Sequence, residues 1–249
     1  RKTFSKLRSA IAGLYTVRGN MAEAEYAFKQ AVELYPLSPE AVFRLADLYM
    51  RERRLDDAYK VVSEFAAQDV HNQSARGFLK QIDQVRQMVS RKAELEALLR
   101  AKNTDINNAF ELIQIYSALQ EIEPMRQLIG SVLQSGLPPE VNLQLAQLLV
   151  QIKRVEFVEP IFINYLQARP DDLRIQLELA ALRLSLGHPD LAIETLRTAV
   201  QKGGEPICAV LRKDARFQPL WNDARFQAIV PPIPAAGRRL PSGIGGLSL

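Results

Sequence analysis

Cysteine and histidine are scarce in this chain of 249 residues, which has one cysteine and two histidines. Because a disulfide needs two cysteines, Cys208 cannot form one within the chain or build a thiolate metal cluster. With only His71 and His188 available, a histidine-based metal site is not expected either. The sequence therefore predicts no metal and no cofactor, and it leaves the compartment open between cytosol and periplasm.

Long hydrophobic runs are also missing. No apolar stretch approaches the roughly 18 to 20 residues that cross a bilayer, so no membrane insertion is expected within this segment. The net charge is only +4, and residues 106–203 carry 8 basic and 11 acidic residues. Because nucleic-acid binding draws on a basic surface, nucleic acid is not an expected partner.

Motifs that carry enzymatic chemistry are absent as well. The chain has no phosphate-binding glycine loop, no zinc-binding helix motif and no nucleophile elbow. Its glycine-rich segment at Ser242 follows no predicted strand and starts no predicted helix. The sequence therefore predicts a protein that is not an enzyme.

What the sequence does contain is a repeat of 34 residues. The aligned positions of the first unit are Ile11, Ala12, Tyr15, Gly19, Ala24, Phe28, Ala31 and Pro36, and those of the second are Leu45, Ala46, Tyr49, Arg53, Ala58, Val62, Phe65 and Val70. Three further units begin at Leu112, Leu145 and Leu179, the fourth unit 33 residues after the third. Apolar residues recur three and four positions apart in each half of a unit, which predicts two helices per unit.

This pattern resembles the tetratricopeptide repeat family, as bacterial proteins carry it, and the resemblance covers about 170 of the 249 residues. The first unit matches best, with the family's small residues, turn glycine, aromatic residue and closing proline at Ala12, Gly19, Ala24, Phe28 and Pro36. The resemblance implies an all-α solenoid, a right-handed superhelix of antiparallel helix pairs with a C-terminal helical cap. It also implies a scaffold that binds a peptide or partner domain in its concave groove.

The repeat register divides the chain into five segments. We expect two repeat units in residues 1–72, an inserted segment in 73–105, three units in 106–206, capping helices in 207–230 and a Pro/Gly-rich tail in 231–249. The inserted segment fits either one long helix or a helix pair, ending before a helix cap at residues 103–105. It acts either as a coiled-coil arm for self-association or as a degenerate repeat that separates two solenoid halves.

The C-terminal region contains a duplicated phrase. The residues Asp214–Gln218 recur as Asp223–Gln227, with Trp221 between the copies. Similar phrases close many tetratricopeptide arrays in bacterial proteins, so we expect this region to cover the apolar face of the last unit. We hypothesise that the tail docks on its own solenoid or on a neighbouring copy. A homo-oligomer would then form through residues 73–105 or through the tail.

The first helix of each unit supplies the residues that we expect to face the groove. The candidates are Ser9, Gly13, Thr16 and Val17 in the first unit, Phe43, Arg44, Asp47 and Arg51 in the second, Phe110, Glu111, Gln114 and Ser117 in the third, Gln144, Gln147 and Gln151 in the fourth, and Leu177, Glu178 and Ala181 in the fifth. A row of side-chain amides can bind a peptide backbone without reading its sequence. Arg44 and Arg51 can receive a carboxylate, unless Asp47 between them takes that role.

A second hypothesis is that the chain is part of a larger enzyme or membrane protein. It starts without Met, and its opening segment Arg1–Arg8 is basic but is not followed by the apolar region of a signal peptide. Some bacterial membrane proteins that resemble glycosyltransferases end in such repeats. On this alternative, the chain is the soluble C-terminal domain that recruits partners or substrates for such a protein.

Overall fold

The computed structural model describes residues 1–101 and 105–231. The tail from residue 232 onward, with its glycine-rich segment, and the first two residues of the cap expected at 103–105 lie outside the described residues. Within the described ranges the regular structure is entirely helical, without a strand. The predicted all-α fold of packed helix pairs is confirmed. Among these helices, none combines the length and apolar character needed to cross a bilayer.

Twelve α-helices follow one another along the described chain, separated mostly by short turns. They are α1 (Lys2–Val17), α2 (Met21–Leu34), α3 (Pro39–Arg51), α4 (Leu55–Gln68), α5 (Gln73–Arg100), α6 (Ile106–Ala118), α7 (Ile122–Gln134), α8 (Pro139–Gln151), α9 (Val158–Ala168), α10 (Leu173–Ser185), α11 (Pro189–Leu211) and α12 (Ala224–Ile229). Two 3₁₀ helices span Val155–Phe157 and Ala215–Leu220. Helix α11 is kinked at Gly204, where φ is 60° and ψ is −146°.

The chain forms two compact units, residues 1–104 and 105–249. In the first unit, consecutive helices from α1 to α5 pack on each other around one apolar core. Small residues at the repeat positions allow this close packing: Ala12, Ala24, Ala46 and Ala58 are all fully buried. In the second unit, Ala146, Ala180 and Ala192 are buried in the same way.

The turn inside each repeat has the same backbone conformation in all five units. The turn residues with positive φ are Gly19 (79°), Arg53 (62°), Gln120 (58°), Lys153 (59°) and Gly187 (82°). In each turn, the next residue donates its backbone N–H to the carbonyl four residues before the turn residue, over 2.7–3.0 Å. This is a helix C-cap that closes on a left-handed residue. The repeat register therefore predicts the backbone even where glycine is replaced.

The inserted segment forms one continuous helix, α5. The side chain of Asn72 caps its start by accepting a hydrogen bond from the backbone N–H of Ala75 at 3.0 Å. Ile82 and Leu95, on either side of the break in apolar spacing, are both fully buried. The break in apolar spacing therefore changes which side of α5 is buried, but the helix continues through it.

The duplicated phrase near the C-terminus makes the same local structure twice. Asp214 and Asp223 each cap a helical turn by accepting the backbone N–H of the residue two positions later. Arg216 then folds back onto Asp214 at 2.7 Å and also reaches Glu178 on α10 at 2.8 Å. Each copy also contributes one aromatic ring, Phe217 or Phe226, to an apolar cluster. This cluster includes buried residues of α10 and α11.

Candidate partner-binding surfaces

A cleft of about 360 Å³ lies between α1 and α3 in the first unit. Its lining residues are Gly13, Thr16, Val17, Phe28, Arg44, Asp47, Leu48 and Arg51. A Cβ atom on Gly13 would lie 3.2 Å from Nη1 of Arg44, so glycine leaves room for the guanidinium at this point. Six of the predicted groove residues therefore share one surface.

The two arginines of this cleft already have partners on their own helix. Nη2 of Arg44 lies 3.2 Å from Oε1 of Glu40, and Nη2 of Arg51 lies 2.9 Å from Oδ2 of Asp47. Such exposed pairs one helical turn apart contribute little energy. A ligand carboxylate would compete with these pairs. Asp47 binds Arg51, so it takes the role that the sequence analysis left open for it, whereas Arg44 pairs with Glu40.

Two residues expected to face the groove pack toward the core of the first unit instead, Phe43 half-buried and Ser9 buried. The ring of Phe43 stacks on Phe78 at 5.5 Å and meets the edge of Phe65 at 5.6 Å, so it joins α3 to α4 and α5. Ser9 is 1% exposed. The expectation was wrong for Ser9 because α1 turns its small residues toward the core. It was also wrong for Ser117 and Leu177 in the second unit, which are only 7% and 8% exposed.

A second cleft, of about 410 Å³, lies between α8 and α10 in the second unit. It is lined by Leu143, Ala146, Gln147, Val150, Gln151, Phe162, Arg174, Ile175 and Glu178. The apolar members form most of this surface, and the amides and charged groups border it. The first helices of two successive repeats thus form the walls, and α9 contributes Phe162.

The predicted glutamines take different positions around this cleft. Gln147 and Gln151 stand one helical turn apart on α8, both exposed and both in the lining. Gln144 is exposed on the same helix but lies outside the lining. On α6, Gln114 is exposed and Phe110 is half-buried, and neither lines the cleft.

The charged groups at the border of the α8–α10 cleft are not equivalent. Glu178 forms an ion pair with Arg216. Arg216 also donates hydrogen bonds to Asp214, outside the cleft lining, and these hold the pKa of Asp214 below its ordinary value. Arg174 makes no ion pair within residues 1–101 and 105–231. The cleft therefore has one neutralised acidic group and one cation that is available to a ligand.

Of the nine residues that line this cleft, the sequence named Gln147, Gln151 and Glu178 as groove candidates and missed the other six, among them Val150, Phe162 and Arg174. Val150 is 53% exposed although it is a large apolar residue, and only the structure shows that it borders a cleft. Phe162 comes from the second helix of its unit, whereas only first helices were considered. Arg174 could have been predicted from the repeat spacing, because it lies one helical turn before Glu178 on the same face of α10.

Comparison with known proteins agrees with the repeat geometry. A sequence model described as "Tetratricopeptide repeat" matches residues 18–82, which include the turns at Gly19 and Arg53. Residues 18–82 therefore match the tetratricopeptide repeat family. The tetratricopeptide fold supports a protein-interaction scaffold.

Several solved structures are similar to this chain at low identity. A tetratricopeptide repeat protein from Parabacteroides merdae is 14% identical, with 92% of this chain and 98% of that chain covered and a TM-score of 0.31. A thermophilic tetratricopeptide protein from Thermus thermophilus is 17% identical, with 84% and 96% covered and a TM-score of 0.30. YrrB, described as having an unusual peptide-binding site, is 15% identical, with 76% and 98% covered and a TM-score of 0.31. Among curated protein sequences there is no significant match.

Proposed function

We propose that this protein is a non-enzymatic scaffold whose α8–α10 cleft binds a short peptide segment of a partner protein. The observation that carries the proposal is the pairing of an apolar surface with two exposed amides on the same helix. The cleft volume of about 410 Å³ falls in the range of small-ligand sites, enough for a few side chains of a bound segment.

The chemistry of the cleft suits a peptide in two ways. Each amide of Gln147 and Gln151 can donate to a backbone carbonyl and accept from a backbone N–H. Val150 and Phe162 provide apolar area that an aliphatic or aromatic side chain of the peptide would remove from water. The unpaired guanidinium of Arg174 favours an acidic residue next to that apolar anchor.

The lining of the cleft favours binding over catalysis. Among its described residues there is no histidine, cysteine, serine or threonine to act as a nucleophile or a general base. Its carboxylate, on Glu178, is held by Arg216 at 2.8 Å. A carboxylate engaged in this way is poorly placed to exchange protons with a substrate.

Selection of binding peptides from a displayed random library, using the complete chain as bait, tests the proposal. The selected peptides should share an apolar anchor next to an acidic residue. Their affinity should fall at least about tenfold in Val150→Asp, because the carboxylate would sit on the surface that the anchor covers. The double variant Gln147→Ala with Gln151→Ala should weaken binding as well.

A matched control is available on α7, where Gln127 and Gln134 are exposed. Replacing both by alanine removes two amides without touching the cleft, and peptide affinity should stay unchanged. Peptides that bind Val150→Asp and the wild-type chain equally well would place the binding site elsewhere and overturn the proposal.

A further inference from the structure

Helix α1 carries a line of large apolar residues on its outer side. Phe4, Leu7, Ile11 and Leu14 are spaced by three, four and three residues, and Phe4, Leu7 and Leu14 are 65%, 57% and 61% exposed. At 1.5 Å per residue, this stripe extends about 15 Å along the helix. It has the a and d spacing of a helix that packs against another helix.

The opposite side of α1 is already occupied by the first unit, and it uses small residues. Ser5, Ser9 and Ala12 are the buried residues of this helix. The hydroxyl of Ser5 donates to the carbonyl of Ala31 on α2 at 2.7 Å. The helix therefore places Ser5, Ser9 and Ala12 in the core and leaves Phe4, Leu7 and Leu14 in solvent, the reverse of an ordinary surface helix.

The charges around the stripe all have one sign. Arg1 and Arg8 stand one heptad apart beside it, and Lys6 lies on its other side. Neither Arg1, Lys6 nor Arg8 makes an ion pair within the described part of the chain. Residues 1–22 contain no acidic residue at all.

We propose that the outer stripe of α1 binds an amphipathic helix whose apolar stripe is flanked by glutamate or aspartate. The heptad spacing specifies a helical partner, and the unpaired bases beside the stripe specify its charge. In helix pairs, charges at these flanking positions decide which partner is accepted. The apolar side chains provide the affinity, and the arginines provide the selectivity.

The same charges argue against other occupants from this chain. A second copy docking through its own α1 would join two stripes that are both flanked by basic residues, without any acidic residue to compensate. Residues 232–249 contain two arginines and no acidic residue, so they do not supply the missing charge either. The stripe therefore fits a partner helix of opposite charge.

Titration of the complete chain with two synthetic helices tests the proposal. Both span three heptads with leucine at positions a and d, and they carry either glutamate or lysine at positions e and g. We expect the glutamate helix to bind about tenfold tighter than the lysine helix at low ionic strength. The triple variant Phe4→Ser, Leu7→Ser, Leu14→Ser should lose binding to the glutamate helix.

Two further variants guard against a trivial loss of folding. Leu191→Ser with Val210→Ser removes exposed apolar residues from the second unit and should bind the glutamate helix like the wild-type chain. Arg1→Glu with Arg8→Glu should reverse the preference toward the lysine helix. Equal binding of both helices, binding by neither, or binding only to vesicles of anionic phospholipid would overturn the proposal.

Discussion

Arg54 and Glu25 form a two-point ion pair between the start of α4 and helix α2. Nη1 of Arg54 lies 2.7 Å from Oε2 of Glu25, and Nη2 lies 3.1 Å from Oε1. Lys29 lies 2.7 Å from the same carboxylate, and the hydroxyl of Tyr49 donates to it at 3.2 Å. The hydrogen bonds from Arg54 are the main reason why the pKa of Glu25 falls from 4.5 to about 2.

This lowered pKa predicts a specific loss of stability in acid. A carboxyl group whose pKa is lower in the folded state stabilises the fold above its unfolded pKa, and it loses that contribution as the pH falls through the folded value. The free energy of unfolding should therefore fall between about pH 5 and pH 2 through Glu25. Denaturant unfolding over this range measures the effect.

The variant Glu25→Gln isolates the contribution of this carboxylate. At pH 7 it should lower the free energy of unfolding by about 1–2 kcal/mol, since a charge-assisted hydrogen bond is lost at a partly exposed site. At pH 2 the difference from the wild-type chain should shrink. Glu64→Gln, an exposed acidic residue on α4, is the control and should change little at either pH. A constant difference at both pH values would contradict the assignment.

Two serines on the buried side of α1 should respond oppositely to the same substitution. Ser5 donates a hydrogen bond to Ala31, whereas the hydroxyl of the buried Ser9 has no partner within the described residues. Ser5→Ala should destabilise the chain by about 1 kcal/mol, because the carbonyl of Ala31 loses a donor. Ser9→Ala should be neutral or stabilising by up to about 1 kcal/mol. Thermal or denaturant unfolding ranks the pair, and a larger loss at Ser9 would be inconsistent with the structure.

The left-handed turn at Lys153 predicts a stabilising substitution. A residue with a Cβ atom at positive φ is strained by roughly 1–2 kcal/mol, and glycine removes this strain at the cost of a more flexible unfolded chain. Lys153→Gly should therefore raise the free energy of unfolding by about 0.5–1 kcal/mol. Lys153→Ala keeps the strain and serves as the control. Equal stability of the glycine and alanine variants would argue against backbone strain at this turn.

The helix cap at Asp214 is expected to stabilise the C-terminal end of the second unit. Asp214→Ala removes a side-chain cap and should cost about 1 kcal/mol, whereas Asp214→Asn retains a good cap and should cost less. Trp221 is the only tryptophan, and its indole donates to the carbonyl of Leu211 at 3.2 Å, so its fluorescence reports on this region. The emission should change at a lower denaturant concentration in the alanine variant. An unchanged midpoint would count against a role for the cap.

Much of the fold could be predicted because the repeat fixes backbone geometry as well as helix positions. Gln120 and Lys153 adopt the conformation of Gly19 although nothing in their residue type indicates it. The length of α5 could not be predicted, since a break in apolar spacing fits a kink, a loop or a change of partner equally well. Only tertiary packing around Ile82 and Leu95 decides among these.

The candidate site was only partly predictable for a similar reason. The register identified Gln147 and Gln151 because both lie on a first helix. Phe43 also lies on a first helix, but its ring packs on Phe65 and Phe78, because burying a large aromatic ring is more favourable than leaving it in solvent. Phe162 was missed because a cleft takes residues from whichever helices meet there.

The most direct measurement of the central claim is hydrogen exchange of the complete chain with and without a selected peptide. Binding in the α8–α10 cleft should slow the exchange of backbone amides in residues 143–151 and 174–178, and Val150→Asp should abolish this protection. Exchange in α7, which carries the control glutamines, should not change. Protection confined to other helices, with residues 143–151 unaffected, would contradict the account.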